Sequence, residues 1–228
     1  SDLLLREMHP LWSVEELKAL AMNTSLHDLR LDPPLTSTTF SPARSGAGRI
    51  DLANTLGTDQ VAFNAGQPGL VSVSFGAVEV LTTTTLVRRV RVENQSTSPI
   101  TYSVDYQEYV ASAGVDFEVS PSTLVMAPQS ASTVVITMTA DASQMQHDQD
   151  PSVTPTFFDS WQSEAQGYVL LDTEVQSPSP LRVPVFVTAR PVSQMSAVQS
   201  SVQFGADPQI DLDGTGIDHV LGLGPVDA

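Results

Sequence analysis

Ile100-Thr101-Tyr102-Ser103-Val104-Asp105-Tyr106-Gln107 is the stretch that decides the fold. Its apolar residues Ile100, Tyr102, Val104 and Tyr106 alternate with polar ones, and a period of two turns one face of a strand to a core and the other to water. The alternation recurs at Val134, Ile136 and Met138 against Thr133, Thr137 and Thr139, and at Val90 and Val92 against Arg89, Arg91 and Glu93. Leu181, Val183, Val185 and Val187 form a further set, with shorter candidates at Phe117–Val119, Val71–Phe75 and Tyr168–Leu170. These are about seven strands separated by polar, glycine- or proline-containing breaks, which predicts a mainly β protein built on an antiparallel β-sandwich. Pro184 lacks a ladder donor, so it is expected at an edge or a bulge.

Composition narrows the function. The 228 residues carry 10 Lys+Arg against 26 Asp+Glu, a formal charge of −16. Nucleic acid is excluded as a partner on this balance, because a phosphate backbone is held by clustered cations; attraction to an anionic membrane is disfavoured likewise. No apolar run reaches the ~18 residues of a membrane span. With no cysteine, neither a disulfide frame nor a thiolate site can form. Ser1-Asp2-Leu3-Leu4-Leu5-Arg6 has neither an initiator methionine nor a basic leader, and is read as a cut edge.

Ahead of the strands the pattern is helical. Leu3, Leu4 and Leu5 read as the end of a buried helix that Pro10 terminates. Ser13 offers an N-cap and Glu16 completes a capping box, opening a helix over residues 14–22 whose apolar face is Val14, Leu17, Leu20 and Ala21. Residues 27–45 read as loop, with Pro33, Pro34 and Pro42. Residues 50–56 read as a short helix with Gly57 at its end.

His9-Pro10-Leu11-Trp12-Ser13-Val14-Glu15-Glu16-Leu17-Lys18-Ala19-Leu20-Ala21-Met22-Asn23-Thr24, followed by Gly46-Ala47-Gly48-Arg49-Ile50-Asp51, resembles the last part of a subtilisin-like serine peptidase (peptidase S8) domain. In that family a His-Pro-x-Trp-Ser turn leads into a helix, and a Gly-x-Gly-x-x-Asp segment opens the final one. The resemblance covers residues 1–58, taken as the C-terminal end of an incomplete catalytic domain. It implies that residues 66–190 are an immunoglobulin/fibronectin-III-like sandwich. Beyond Pro191 the chain is Ser/Gln-rich and then shows Val202, Phe204 and Ile210-Asp211-Leu212, so 191–228 read as a linker and the start of a further β-module or tail. Acyl transfer needs an activated serine, an imidazole, an orienting carboxylate and oxyanion donors. The family's aspartate, histidine, Gly-Thr-Ser-Met serine and oxyanion asparagine all precede the matched segment, so no residue here is assigned as catalytic. His9, Asn23, Gly46, Gly48 and Asp51 match the family's motifs as turn and helix-end residues.

No independent chemistry competes. His9, His27, His147 and His219 are scattered, without ligand spacing, so no metal site is assigned. Asp207, Asp211, Asp213 and Asp218 sit among glycines like a calcium loop, but lack EF-hand spacing; an acidic, solvated tail is the plainer reading, and no cofactor is assigned. Asp148 and Asp150 belong to a polar excursion over 141–163 that holds a candidate ordered segment at Phe157–Trp161. Asn23-Thr24-Ser25 and Asn94-Gln95-Ser96 fit the N-glycosylation pattern. Gly66-Gln67-Pro68-Gly69 has no following helix and cannot cradle phosphate.

The expected function is therefore that of a C-terminal fragment of a secreted or surface-exposed subtilisin-like endopeptidase, itself without the triad. Its sandwich would brace the peptidase or contact substrate. Its partners would be the upstream part of its own catalytic domain and the parent's protein substrate. The alternative is a non-enzymatic cell-surface adhesion or interaction module. Without the rest of an α/β domain, the first 58 residues should either pack poorly or borrow surface from the sandwich.

Overall fold

Two sheets face each other across one core in the computed structural model, which describes residues 2–30, 38–146, 164–173, 180–199, 201, 205 and 210–215. In chain order the elements are α1 (Asp2–Met8), α2 (Val14–Asn23), α3 (Pro42–Ser45), α4 (Leu52–Leu56), β1 (Gln60–Asn64), β2 (Val73–Val80), β3 (Thr83–Asn94), β4 (Ile100–Val110), β5 (Val115–Ser120), β6 (Thr123–Met126), β7 (Ser130–Asp141), β8 (Glu164–Asp172), β9 (Leu181–Pro191), β10 (Gln194–Ala197) and β11 (Leu212–Thr215). One sheet runs β1-β3-β7-β5 and the other β2-β9-β8-β4-β6. The ladders are antiparallel except β2–β9, which is parallel.

Each alternating run places its apolar set inward. Tyr102 and Val104 of β4, Val134, Ile136 and Met138 of β7, and Val90 and Val92 of β3 share the inter-sheet core with Leu181, Val183, Val185 and Val187 of β9. The protein is a mainly β sandwich of this immunoglobulin-like kind. Two strands that alternation does not reveal complete it. β1 is buried along its whole length: Ala62 joins the sandwich core, while Val61 and Phe63 turn to a second cluster. The other, β6, is four residues long.

That second cluster is where the helices meet the sandwich. Leu5, Leu17, Ala19 and Leu20 pack on Val61, Phe63 and Val71, so the N-terminal segment borrows its cover from the strands. The capping box forms: Glu16 N–H donates to Ser13 Oγ at 3.2 Å, and Ser13 N–H donates to Glu16 Oε2 at 2.6 Å. Several expectations need correction. Leu3, Leu4 and Val14 are exposed, and the helices reach the sandwich through Leu5, Leu17, Ala19 and Leu20 instead. Ile50 lies outside the short helix, which begins at Leu52 behind the N-cap Asp51. Residues 42–45, read as loop, close a helical turn.

Pro184 is at neither an edge nor a bulge: it sits in β9, an interior strand, opposite Tyr168 of β8. Arg182 C=O accepts a side chain from α2, and period-two alternation points Pro184 the same way. On that side the β2 ladder starts only at Val73–Val185, so no donor is missed. In the tail, β10 and β11 pair as an exposed ribbon. His147, Asp148, Asp150, Phe157–Trp161, Val202, Phe204, Asp207, Asp218 and His219 lie outside the described residues, as do Pro33 and Pro34.

Candidate functional site

The residues that carry the peptidase resemblance form the seam between helices and sandwich. His9 stacks on Trp12, ring centroids 4.0 Å apart, because Pro10 turns the chain back between α1 and α2. Along α2, Glu15 accepts from Gly69 N–H at 2.5 Å and Lys18 donates to Gly69 C=O at 2.9 Å. Gln95, just past β3, donates to Glu16 at 2.8 Å. The Gly66–Gly69 turn is thus an anchoring point for α2.

Asn23 ends the helix and ties both sheets to it. Its Oδ1 accepts from Ala62 N–H on β1 at 2.8 Å, and its Nδ2 donates to Arg182 C=O on β9 at 3.0 Å. Both backbone groups lie on strand edges that no neighbouring strand among the described residues covers, and a helix over an edge is one way proteins close it. Thr24 meets Thr55 of α4 at 2.8 Å.

In Gly46–Asp51 the glycines answer to geometry. Gly48 has φ +109°, and a Cβ there would stand 2.2 Å from Leu26 C=O, with which the segment forms an antiparallel bridge at Leu26–Arg49. Asp51 Oδ1 accepts from Asn54 N–H at 3.0 Å and caps α4. The segment also docks on the second sheet: Gln166 accepts from Ala43 N–H at 2.8 Å and Tyr168 donates to Gly46 C=O at 3.2 Å.

His27 lies half-buried within this seam. It sits edge-on to Tyr109 and Tyr168 at 4.5 and 5.1 Å, with Nε2 2.6 Å from the Phe40 carbonyl. Burial pulls its pKa below the ordinary value, assisted by Arg182 and opposed by the Phe40 contact and Asp28. Asp28 in turn is engaged by Arg49 at 2.5 Å. Burial also pushes the Tyr168 hydroxyl up to about 12. A neutral imidazole against a carbonyl, with the nearby carboxylate taken by an arginine, is a packing arrangement and does not activate a nucleophile.

Among the described residues no group of three or more His, Cys, Asp or Glu converges on one point. Asp211 is occupied by Gln199, whose Nε2 donates to it at 2.8 Å. Neither sequon offers a surface amide. Asn23 is buried as above, and buried Asn94 donates to Ser98 C=O and Ala127 C=O at 2.8 and 3.0 Å. The local Asn-x-Ser pattern carries no sign that both asparagines are spent inside the fold.

Several apolar side chains of the N-terminal segment stay uncovered. Leu3, Leu11 and Val14 are 86%, 96% and 65% exposed, and Leu4 and Met8 are exposed as well. No helix among the described residues is long and apolar enough to cross a membrane.

No protein-family model matches the chain, and no curated protein matches it. Solved structures do resemble it. A PapD-like domain of human CEP192 is 15% identical with a TM-score of 0.35, the match covering 60% of this chain and 88% of that one. The N-terminal domain of PorA gives 12% and 0.35, covering 58% and 96%. The periplasmic chaperone SfaE gives 13% and 0.31, covering 57% of each. The sandwich assignment rests on the strand pairing above, and likeness at this level adds nothing about activity or partners.

Proposed function

We propose that this chain is the trailing, non-catalytic portion of a secreted or surface-exposed subtilisin-like serine endopeptidase, in which the sandwich braces the catalytic domain. The observation that carries the reading is how the N-terminal helices are covered. Leu5, Leu17 and Leu20 are sealed on the sandwich, while Leu3, Leu4, Met8, Leu11 and Val14 stay exposed, apolar area of the kind that marks a missing neighbour. These are the helices whose sequence resembles the end of the peptidase domain, so the proposed neighbour is the upstream part of that domain. Asn23 would then transmit the brace, since it joins the helix to both sheets. Hydrolysis of peptide bonds belongs to the whole enzyme, through an Asp-His-Ser triad contributed upstream.

A fluorophosphonate probe tests this. The full product of the gene should be labelled stoichiometrically at a serine preceding Ser1, and the chain described here should remain unlabelled. Specific labelling of this chain would overturn the reading, as would a natural translation start at Ser1 with no Gly-Thr-Ser-Met motif before it.

The shared core of helices and sandwich also favours a second reading, a self-standing cell-surface interaction module. The same experiment separates the two, because that module predicts no labelling of the gene product.

A further inference from the structure

β3 is twelve residues long, but β1 pairs with it only from Asn64–Val90 onward. On the opposite side β7 pairs with β3 along its full length, Thr83–Asp141 to Asn94–Ser130. Among the described residues, 83–89 therefore have one edge without a partner strand. The parity of the backbone says what that edge presents. Arg89 C=O accepts from Ala65 N–H at 2.9 Å, on the β1 side. Val87 and Thr85, two and four residues earlier, point their N–H and C=O groups the same way. Val87 C=O is met by the guanidinium of Arg88 at 3.1 Å. The gap is a cleft of about 360 Å³ between Asn64–Gln67 and Val87–Arg89.

Charge marks this cleft out from the rest of an acidic surface. Arg88 is held with its guanidinium 5.2 Å from the Phe75 ring centroid. Arg91 is paired with Glu93; among the described residues neither Arg88 nor Arg89 has a carboxylate within ion-pair distance. The exposed carboxylates of Asp116 and Glu118 lie two strands away, with β7 between, at about 10 Å by strand spacing. The chain holds only 10 cations against 26 acids, and among the described residues Arg88 and Arg89 stand without acidic partners beside an open strand edge.

The geometry points to a strand-addition site: the 83–89 edge of β3 takes an extended, acidic polypeptide segment, in line with β1, with Arg89 on the exposed face of the sheet reading its carboxylates. Main-chain hydrogen bonds to an edge supply affinity and flanking side chains supply selectivity. A second copy of this chain does not fit, because edge-to-edge pairing would bring Arg89 of one copy toward the arginines of the other. This goes beyond the peptidase reading and does not depend on it.

Fluorescence anisotropy with a labelled peptide of roughly eight residues alternating Glu and Val, blocked at both ends, tests the proposal. A Lys/Val peptide is the control. The acidic peptide should bind, and more weakly as salt is raised; the basic one should not. Arg89→Glu should weaken binding by at least about tenfold. Val87→Pro should abolish it while leaving the far-UV spectrum and melting temperature unchanged, because the Val87 N–H faces away from β7. Absence of binding at millimolar protein, equal binding of both peptides, or undiminished binding by Val87→Pro would each overturn the proposal. The first would leave the arginines as guards of a bare edge.

Discussion

Asn23 takes the main-chain N–H of Ala62 on its Oδ1 at 2.8 Å, so the last residue of α2 occupies the position a neighbouring strand would hold beside β1. Its amide simultaneously donates to Arg182 C=O of β9. Asn23→Ala leaves two main-chain groups without partners in a buried setting, at about 1–3 kcal/mol for each. Asn23→Asp should be worse, since it loses the donor and turns a carboxylate oxygen toward a carbonyl. Denaturant melts of both variants, read by near-UV spectra, check the order.

Gly167 leaves room for an aromatic ring. A Cβ there would stand 2.4 Å from Gln107 C=O and 2.6 Å from the Tyr106 hydroxyl. Gly167→Ala should therefore destabilise by about 1–3 kcal/mol through overpacking. A melt that moves by less than a degree would contradict the close approach of β4 and β8.

Two buried tyrosines should respond oppositely to loss of their hydroxyls. Tyr102 is fully buried and its OH has no partner among the described residues, whereas Tyr168 donates to Gly46 C=O. Tyr102→Phe should be neutral or stabilising, and Tyr168→Phe should cost about 1 kcal/mol. The two melting curves, run side by side, decide it.

His27 gives the fold a pH dependence in the mildly acidic range. Its pKa in the fold lies below the ordinary 6.5, chiefly through burial. The unfolded chain therefore binds a proton first as pH falls, and stability is lost as pH drops through 6.5 toward the folded value. Above 6.5 the contribution is fully present. Stability measured at steps from pH 7.5 to 5.5 should fall in the parent and fall less in His27→Gln.

Much of the sandwich is legible in sequence because most of its strands keep one face wet. Tyr102, Val104 and Met138 alternate with polar neighbours and go where alternation sends them. β1 escapes the same reasoning, since Gln60–Asn64 is covered on both faces and period two carries no signal there. The capping box of Ser13 and Glu16 is readable because it is local. The seam is not, because Asn23 meets Ala62 and Arg182 across 39 and 159 residues of chain. Sequon spacing identified Asn23 and Asn94 as possible glycan acceptors, and only the tertiary fold turns their amides inward. The open edge of β3 is likewise set by where β1 stops, which no residue of β3 encodes.

Native-state hydrogen exchange of α2 against β7 tests the central claim most directly, namely that the helices bearing the peptidase motifs are held as part of the sandwich. The main-chain amides of Ala19 and Leu20 should exchange with the same free energy as those of Val134 and Ile136, and Asn23→Ala should accelerate the helical pair far more than the strand pair. Exchange in α2 that is already fast in the parent chain, with β7 fully protected, would mean that the helices open independently and that the sandwich braces nothing.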